Sequence, residues 1–542
     1  LSVRQADGQA SLGLIFEHHK NNGQPRLAET TSSMPNLVIG IDLSTTTCKA
    51  IAWNAQGHAI AQGRAPVAML RPQANAYEQD PLAWWQAAQI ALTALCAQLD
   101  GHTIAAVAIA NQRETVAVTD ADDQLLRPAM LWLDERRKSE VQALVGKVGA
   151  SRLHALTGKP EDWAPAVFSL AWMARHEPQV FARIRHVYDP HAWLVRQLSA
   201  EFATSWASAD PFGAFDIHRH AWADEVLQAL PLPLDAACFA PAMAPGSLLG
   251  RITAEAAELT GLPVGTPLIA GGGDGQAGGL GIGVARPGMA YLNLGTAIVS
   301  GVYSATPSID PAFRTLCAIG REGYVLETSL RSGTLLINSL VQQFFGIDVS
   351  RDPDSLSRLE REAAEVPAGS AGLILLPYWN GVMNPYWDAD ARGCLLGLSP
   401  DHSRAHIYRA LLEGLALEQA VATRAVVAAT GQPVDAFIAI GGGSSSPLWC
   451  QIIANIGERP VLRATTQEAS SLGAGMAAAV GAGWYADFAE AAQAMSEVGE
   501  RFLPELSLQG FHRELLAVYS ELYPRLRDLY PRLARLSQGP AS

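Results

Sequence analysis

In the first third of the chain, short apolar runs alternate with polar and glycine-bearing turns. Leu37–Ile41 is an apolar run of strand length, followed by Asp42-Leu-Ser-Thr-Thr-Thr47, which is turn chemistry, and then by Ala50–Trp53. Asn54-Ala-Gln-Gly57 makes a second turn before Ala59–Ala61, so consecutive antiparallel strands are expected. Pro81–Leu99 reads as a helix with Pro in its first turn. Val107–Ala110 and Val116–Thr119 are predicted strands around the polar Asn111-Gln112-Arg113-Glu114, and helical segments dominate Glu140–Leu198. A second series opens at Pro267–Ala270, which runs into Gly271-Gly-Gly-Asp274, and continues with Ala290–Leu294 and Ile298–Tyr303 around Gly295-Thr296. Two strand–turn–strand units with threonine tips thus lie roughly 250 residues apart, the pattern of a duplicated domain with one phosphate loop per half. Ile374–Tyr378 and Ala436–Ile440 are further strands, His406–Val427 is a long helix, and Phe511–Leu536 is a helical tail, packed or on the surface.

At 542 residues the chain exceeds one compact core, so at least two domains are expected. With 49% hydrophobic and 17% charged residues, bulk disorder is excluded. The 48 glycines exceed the average share of about 7%, and eight fall between Gly271 and Gly283. A balance of 39 basic against 52 acidic residues argues against a nucleic-acid partner, which needs a basic face. It leaves nucleotides open, because backbone N–H groups can cradle a phosphate. The six cysteines form no CxxC pair, so neither a zinc site nor a disulfide framework is indicated and a cytoplasmic location is expected. No apolar stretch reaches about 18 residues, so no membrane partner is expected. Leu1–Ser33 is polar, is expected to be a disordered lead, and makes Met34 the expected working start.

Three glycine- or threonine-rich turns carry candidate chemistry. In Gly40-Ile-Asp42-Leu-Ser44-Thr45-Thr46-Thr47-Cys48-Lys49, a carboxylate at a strand end can hold Mg²⁺ through water while hydroxyls and N–H groups meet phosphate oxygens; an ordinary Asx or ST turn is the alternative. In Gly271-Gly-Gly-Asp274-Gly275, one carboxylate among glycines at a strand-to-helix junction can accept a hydroxyl proton or orient the hydroxyl, and it can equally cap the helix. Gly441-Gly442-Gly443-Ser444-Ser445-Ser446-Pro447 follows a strand and opens a helix, which suits close approach of a nucleotide. No GxxxxGK[ST] is present, so this is not a P-loop enzyme.

Taken together, these segments resemble the FGGY family of carbohydrate kinases from about Asn36 to about Pro504. Glu78-Gln-Asp-Pro81 with Trp84-Trp85, the GGGD segment at Asp274, Leu294-Gly295-Thr296, Gly393-x-Leu395-x-Gly397-Leu398 with the helix behind it, and Gly441–Trp449 are all similar to family motifs. The resemblance implies an α/β fold of duplicated actin/hexokinase/Hsp70-like (ribonuclease H-like) domains with an ATP and sugar cleft between them. It implies a lead over 1–33, a sugar-binding N-terminal domain over 34–282, an ATP-binding C-terminal domain over 283–505 and a helical tail over 506–542. It implies Asp274 as the general base and Asp42, with Asp274, as the Mg²⁺ site. Thr45, Thr46, Lys49, Gly295 and Thr296 are implied on the ATP phosphates, and Gly442, Gly443 and Ser446 on the adenosine. A possible homodimer follows from the resemblance alone.

The acceptor is read from Asn111-Gln112-Arg113-Glu114, which is like glycerol kinases, whereas Glu78–Trp85 and Ser444–Trp449 are closer to xylulokinases. Arg113 and Glu114 can fork hydrogen bonds onto neighbouring hydroxyls, or simply pair with each other at a strand end. Trp132 sits where these kinases place a Trp against substrate carbons, or packs in the core; Trp163 approximates the position of another aromatic residue. Ser44 stands where the family pattern has Gly, and Ser169 where a signature Lys is usual. The expected activity is ATP-dependent phosphorylation of a small ketose or polyol, most like a pentulose kinase. The alternatives are a glycerol or other polyol kinase and a non-sugar ATPase of the same fold.

Overall fold

Strand β1 (Asn36–Leu43) is buried along almost its whole length because both faces of its sheet are covered. Its side chains divide by the two-residue strand period. Leu37, Ile39, Ile41 and Leu43 join the core formed with Trp84, Leu92 and Leu95 of helix α1 (Pro81–Cys96). Val38 points the opposite way, into a second core with Leu472, Ala474 and Met476. The computed structural model describes residues 36–320, 322–352 and 354–536. The expectations for Leu1–Ser33 and Met34 lie outside the described residues.

The first sheet also contains β2 (Thr47–Trp53), β3 (Ala59–Pro66), β4 (Thr103–Asn111), β5 (Leu248–Arg251) and β6 (Pro267–Gly273). Its spatial order is β5-β6-β4-β1-β2-β3. β1 is antiparallel to β2 and parallel to β4, β4 is parallel to β6, and β5 is antiparallel to β6.

The second sheet repeats this plan with β7 (Gly288–Leu294), β8 (Ile298–Ser304), β9 (Arg314–Cys317), β10 (Tyr324–Leu330), β11 (Val434–Ile440), β12 (Val461–Ala464) and β13 (Val498–Phe502). Its order is β9-β10-β8-β7-β11-β12-β13. β7 is antiparallel to β8 and parallel to β11, as β1 is to β2 and β4. Strand β9 is the addition, an edge strand on β10 with no counterpart in the first sheet.

Each half sends a helix from the end of its sheet to the junction: α2 (Asp274–Gly281) follows β6, and α3 (Ala469–Gly481) follows β12. These two helices pack on each other at backbone distance. A Cβ on Gly473 would lie 1.9 Å from the carbonyl oxygen of Ala277, and one on Gly40 would lie 1.9 Å from that of Ser471. Side chains there would push the halves apart, an overpacking cost of about 1–3 kcal/mol or more. Much of the glycine surplus near Asp274 therefore serves packing, a role composition does not reveal. Gly271 meets Ile109, Gly272 meets Ala207 and Ile319, and Gly279 meets Tyr291.

The tail is packed: Leu516, Tyr519, Leu522 and Tyr523 of helix Gln509–Leu526 enter the large core of the second half. Buried Glu418, on the long helix Arg404–Thr430, accepts from Tyr378 Oη at 2.8 Å and Tyr519 Oη at 2.6 Å. Burial pushes its carboxyl up to about 7, and the tyrosines only partly offset that. Among the described residues no helix is long and apolar enough to cross a membrane.

Candidate active site

The candidate first phosphate loop is the tip between β1 and β2. Ser44 closes it by donating from Oγ to Thr47 O at 2.9 Å. The Glu78-Gln-Asp-Pro81 segment braces it from behind. Gln79 Nε2 donates to Thr45 O at 2.6 Å, and Gln79 Oε1 accepts from Trp84 Nε1 at 2.8 Å and Gln112 Nε2 at 2.9 Å. Asp80 caps α1 by accepting from Leu82 N at 2.9 Å. That segment is thus a scaffold that locks the phosphate loop to the segment after β4. Thr46 is exposed at the tip, and Thr45 Oγ1 accepts from Trp132 Nε1 at 3.0 Å. Trp132 is 41% exposed, so the core-packing alternative does not hold.

Lys49 forms an ion pair with Glu468 at 2.6 Å, which ties the first hairpin to the residue before α3. Its charge is directed across the junction. Asp42 lies beside it with Oδ1 buried and without a hydrogen-bond partner. Burial, with the nearby Asp274 charge adding and Lys49 opposing, raises the Asp42 carboxyl to about 7. An orphaned buried carboxylate oxygen with a second carboxylate close enough to raise its pKa is chemistry suited to a hard divalent cation. Among the described residues there is no group of three or more His, Cys, Asp or Glu side chains that could hold a metal ion.

Asp274 is the first residue of α2, and its side chain remains 39% exposed. Oδ1 accepts from Gly275 N at 2.8 Å and faces Arg113 Nε at 3.1 Å. Burial raises its carboxyl, Arg113 opposes this, and Glu114 adds to the rise. Arg113 and Glu114 follow β4, and they do not pair with each other. Arg113 Nη1 donates to Glu327 Oε2 at 3.0 Å, and Glu114 Oε1 accepts from Arg314 Nη1 at 2.9 Å. Glu327 on β10 is buried and also accepts from Tyr291 Oη at 2.7 Å and Arg314 Nε at 2.6 Å. Burial pushes its carboxyl up, but Arg113 and Arg314 outweigh that and hold it at about 2.

Sequence reasoning missed Arg314 and Glu327, which carry no local motif, and it missed Arg137. Fully buried Arg137 donates from Nη1 to Glu114 O at 3.1 Å and to Ser169 Oγ at 3.2 Å, and from Nη2 to Trp132 O. Burial lowers it to about 10. A guanidinium from another segment thus stands beside Ser169, where the family signature has a lysine. Trp163 lies against Arg137, Lys138 and Arg331.

On the second half, Thr296 is exposed at the β7–β8 tip, and Gly295 O accepts from Thr334 N at 2.9 Å and Thr334 Oγ1 at 3.0 Å. Gly442–Ser445 forms a single 3₁₀ turn, and Ser446 caps helix Pro447–Gly457 by accepting from Trp449 N at 3.0 Å. A Cβ on Gly442 would meet nothing within 4 Å, so open space adjoins it, whereas Gly443 is walled by Trp449 and Leu294.

Residues 37–281 match the N-terminal domain, and residues 290–482 the C-terminal domain, of the FGGY family of carbohydrate kinases. The chain belongs to the FGGY family of carbohydrate kinases. This FGGY kinase is 31% identical over 500 residues to a xylulose kinase of Escherichia coli (strain K12), covering 90% of this chain and 97% of that one. Its fold is similar to the xylulose kinase structure from Rhodospirillum rubrum, with TM-score 0.84, 29% identity and coverage of 91% and 99%. It is also similar to the gluconate kinase structure from Lactobacillus acidophilus, with TM-score 0.86, 25% identity and coverage of 92% and 99%. It is a phosphotransferase with an alcohol acceptor, and ATP is its phosphate donor.

Proposed function

We propose that this FGGY kinase transfers the γ-phosphate of ATP to a hydroxyl of a small neutral ketose, a pentulose of the xylulose type, with Asp274 as the base. The observation that carries this reading is the setting of Asp274. Both of its protein contacts use Oδ1, which leaves Oδ2 for the acceptor hydroxyl. Arg113 fixes the carboxylate and offsets part of the rise that burial causes. Asp274 takes the hydroxyl proton as the oxygen attacks the γ-phosphorus, and the bond from that phosphorus to the β–γ bridging oxygen breaks so that ADP leaves with its electron pair. Thr45, Thr46, Gly295 and Thr296 meet the phosphates from the two hairpin tips. Gly442, Gly443 and Ser446 border the adenosine.

Asp42 and Asp274 would hold Mg²⁺, which when bound with ATP neutralises charge on the transferred group. Lys49 acts through Glu468, holding the first loop in place. The acceptor-facing ends of the charge network, Asp274 and Glu114, are both carboxylates. They accept hydrogen bonds from hydroxyls and repel an acidic acceptor. That favours a neutral sugar over an aldonate.

The proposed division of labour places acceptor binding in residues 34–282 and ATP binding in 283–505, with helix Gln509–Leu526 of the 506–542 tail packed on the latter. A cytoplasmic location accords with six cysteines that are all free. The net charge of −13 speaks against a nucleic-acid partner, and a homodimer rests on resemblance alone. A coupled assay of ATP consumption against ketopentoses, alditols, glycerol and gluconate tests the function. Stimulation by a ketopentose supports it. Stimulation by glycerol alone would favour the polyol-kinase alternative suggested by Arg113–Glu114, and acceptor-independent turnover would favour an ATPase.

A further inference from the structure

We propose that Arg314 and Glu327, both from the second half, are positioning residues for the acceptor-side pair Arg113 and Glu114, so that the acceptor site is complete only when the two halves are docked. The inference rests on the kinase reading above and extends it to residues that no sequence motif marks.

The four side chains and Asp274 form one run of alternating charge: Asp274, Arg113, Glu327, Arg314, Glu114. The links are 3.1 Å from Asp274 to Arg113, 3.0 Å from Arg113 to Glu327, 2.5 Å from Glu327 to Arg314 and 2.9 Å from Arg314 to Glu114. The run is buried except at its Asp274 end. The Glu327 side chain is 0% exposed, and those of Glu114, Arg113 and Arg314 are 8%, 10% and 13% exposed, whereas Asp274 at the end is 39% exposed. Charges removed from water in this way are tolerated only when each is paired and hydrogen-bonded. Once Arg113 Nη1 is fixed on Glu327, its Nε is aimed at Asp274. Once Arg314 is fixed on Glu327, its Nη1 is aimed at Glu114.

Glu114 provides an independent sign that it is held in place. Its φ is 52°, in the left-handed region that a non-glycine residue adopts at a cost of about 1 kcal/mol or more. The surroundings must impose that conformation. They do so through Arg314 on its carboxylate and Arg137 on its carbonyl.

The partners are 214 and 200 residues apart in sequence and belong to opposite sheets. Strand β9, which brings Arg314, is the edge strand that the first sheet lacks. It is docked on the first half through its backbone: Thr315 N donates to Gly158 O at 2.8 Å and Cys317 N donates to Asp210 Oδ2 at 2.9 Å. The added strand therefore both joins the halves and delivers the side chain that orients Glu114.

The test measures steady-state kinetics with the best neutral acceptor for the full-length protein, Arg314→Leu, Arg314→Lys, Glu114→Gln and the double variant Arg314→Leu/Glu114→Gln. Arg314→Leu is expected to raise the acceptor KM by about tenfold or more while the ATP KM changes less than about twofold. Arg314→Lys, which keeps the charge but not the fork, should recover part of that loss. The double variant should be little worse than either single variant, because the pair acts as one unit. An unchanged acceptor KM in a folded Arg314→Leu, equal rises in both KM values, or strict additivity would overturn the proposal. If Arg314→Leu does not fold, Arg314→Lys decides: a raised acceptor KM with the ATP KM kept supports the proposal, and wild-type kinetics overturn it. Failure of the kinase reading has a different signature, since the unaltered protein would then turn over ATP without responding to any acceptor.

Discussion

The two halves build the same sheet and arm its ends differently. At the penultimate residue of the first strand, the first half has Asp42 and the second has Asn293. Just beyond the parallel neighbour, the first half has Arg113 and Glu114 after β4, and the second has Gly441, Gly442 and Gly443 after β11. At the junction helix, the first half begins on Asp274, while the second begins on Ala469 with Glu468 turned to Lys49. One end of the pseudo-repeat therefore presents charge, as hydroxyl activation needs, and the other presents bare backbone, as close approach of a nucleotide needs. A shared scaffold fixes where a functional group can stand. The loop residues then decide what chemistry happens there.

The largest expected effect breaks the charged end. Asp274→Asn removes the proton acceptor at almost constant volume, and turnover should fall by about 10²–10⁴-fold in a coupled ATP assay. Asp42→Asn makes the first strand end like the second. It should lower turnover by about 10²–10³-fold and raise the Mg²⁺ concentration needed for half-maximal rate. Retained Mg²⁺ response in that variant would detach Asp42 from the cation.

The converse change sharpens the comparison at the bare end. Gly442→Val puts a side chain into the space beside the second half's turn, where a Cβ would meet no protein atom within 4 Å. It should raise the ATP KM by about tenfold and leave the acceptor KM alone, as initial-rate measurements would show.

The smallest expected effect is on stability. Glu327 is held at about 2 against an ordinary 4.5, so its contribution is present above pH 4.5 and is lost as pH falls toward 2. Glu418, raised to about 7, behaves in the opposite sense: its contribution is present below pH 4.5 and fades as pH rises through 7. Thermal melts between pH 5 and 3 should therefore show a shallower acid-side loss for Glu327→Gln than for the unaltered chain.

The repeated hairpins were legible because period-two alternation and threonine tips are local signals, and Asp274 was legible because glycines surround it at a strand-to-helix junction. The duplication followed from seeing the hairpin twice, and the fold class from the resemblance to the FGGY family. The partners of those residues were not legible. Glu468 lies 419 residues from Lys49, and Glu327 and Arg314 sit within ordinary strand sequence, where a charged residue normally signals a solvent face. Arg137 lies in a charged Glu-Arg-Arg-Lys run that reads as surface, and it is fully buried. The structure assigns much of the glycine density near Asp274 to packing of helices and strands, which composition does not reveal. Pairings across the domain junction depend on docking, which leaves no periodic trace in either half.

The division of labour between the two ends is tested most directly by calorimetric titration of ATP, in the absence of Mg²⁺, into Asp274→Asn. If the second half holds the nucleotide and Asp274 serves the acceptor, the Kd will stay within about threefold of the unaltered protein while transfer is nearly abolished. A Kd weakened in proportion to the lost turnover would place Asp274 in nucleotide binding and contradict the account.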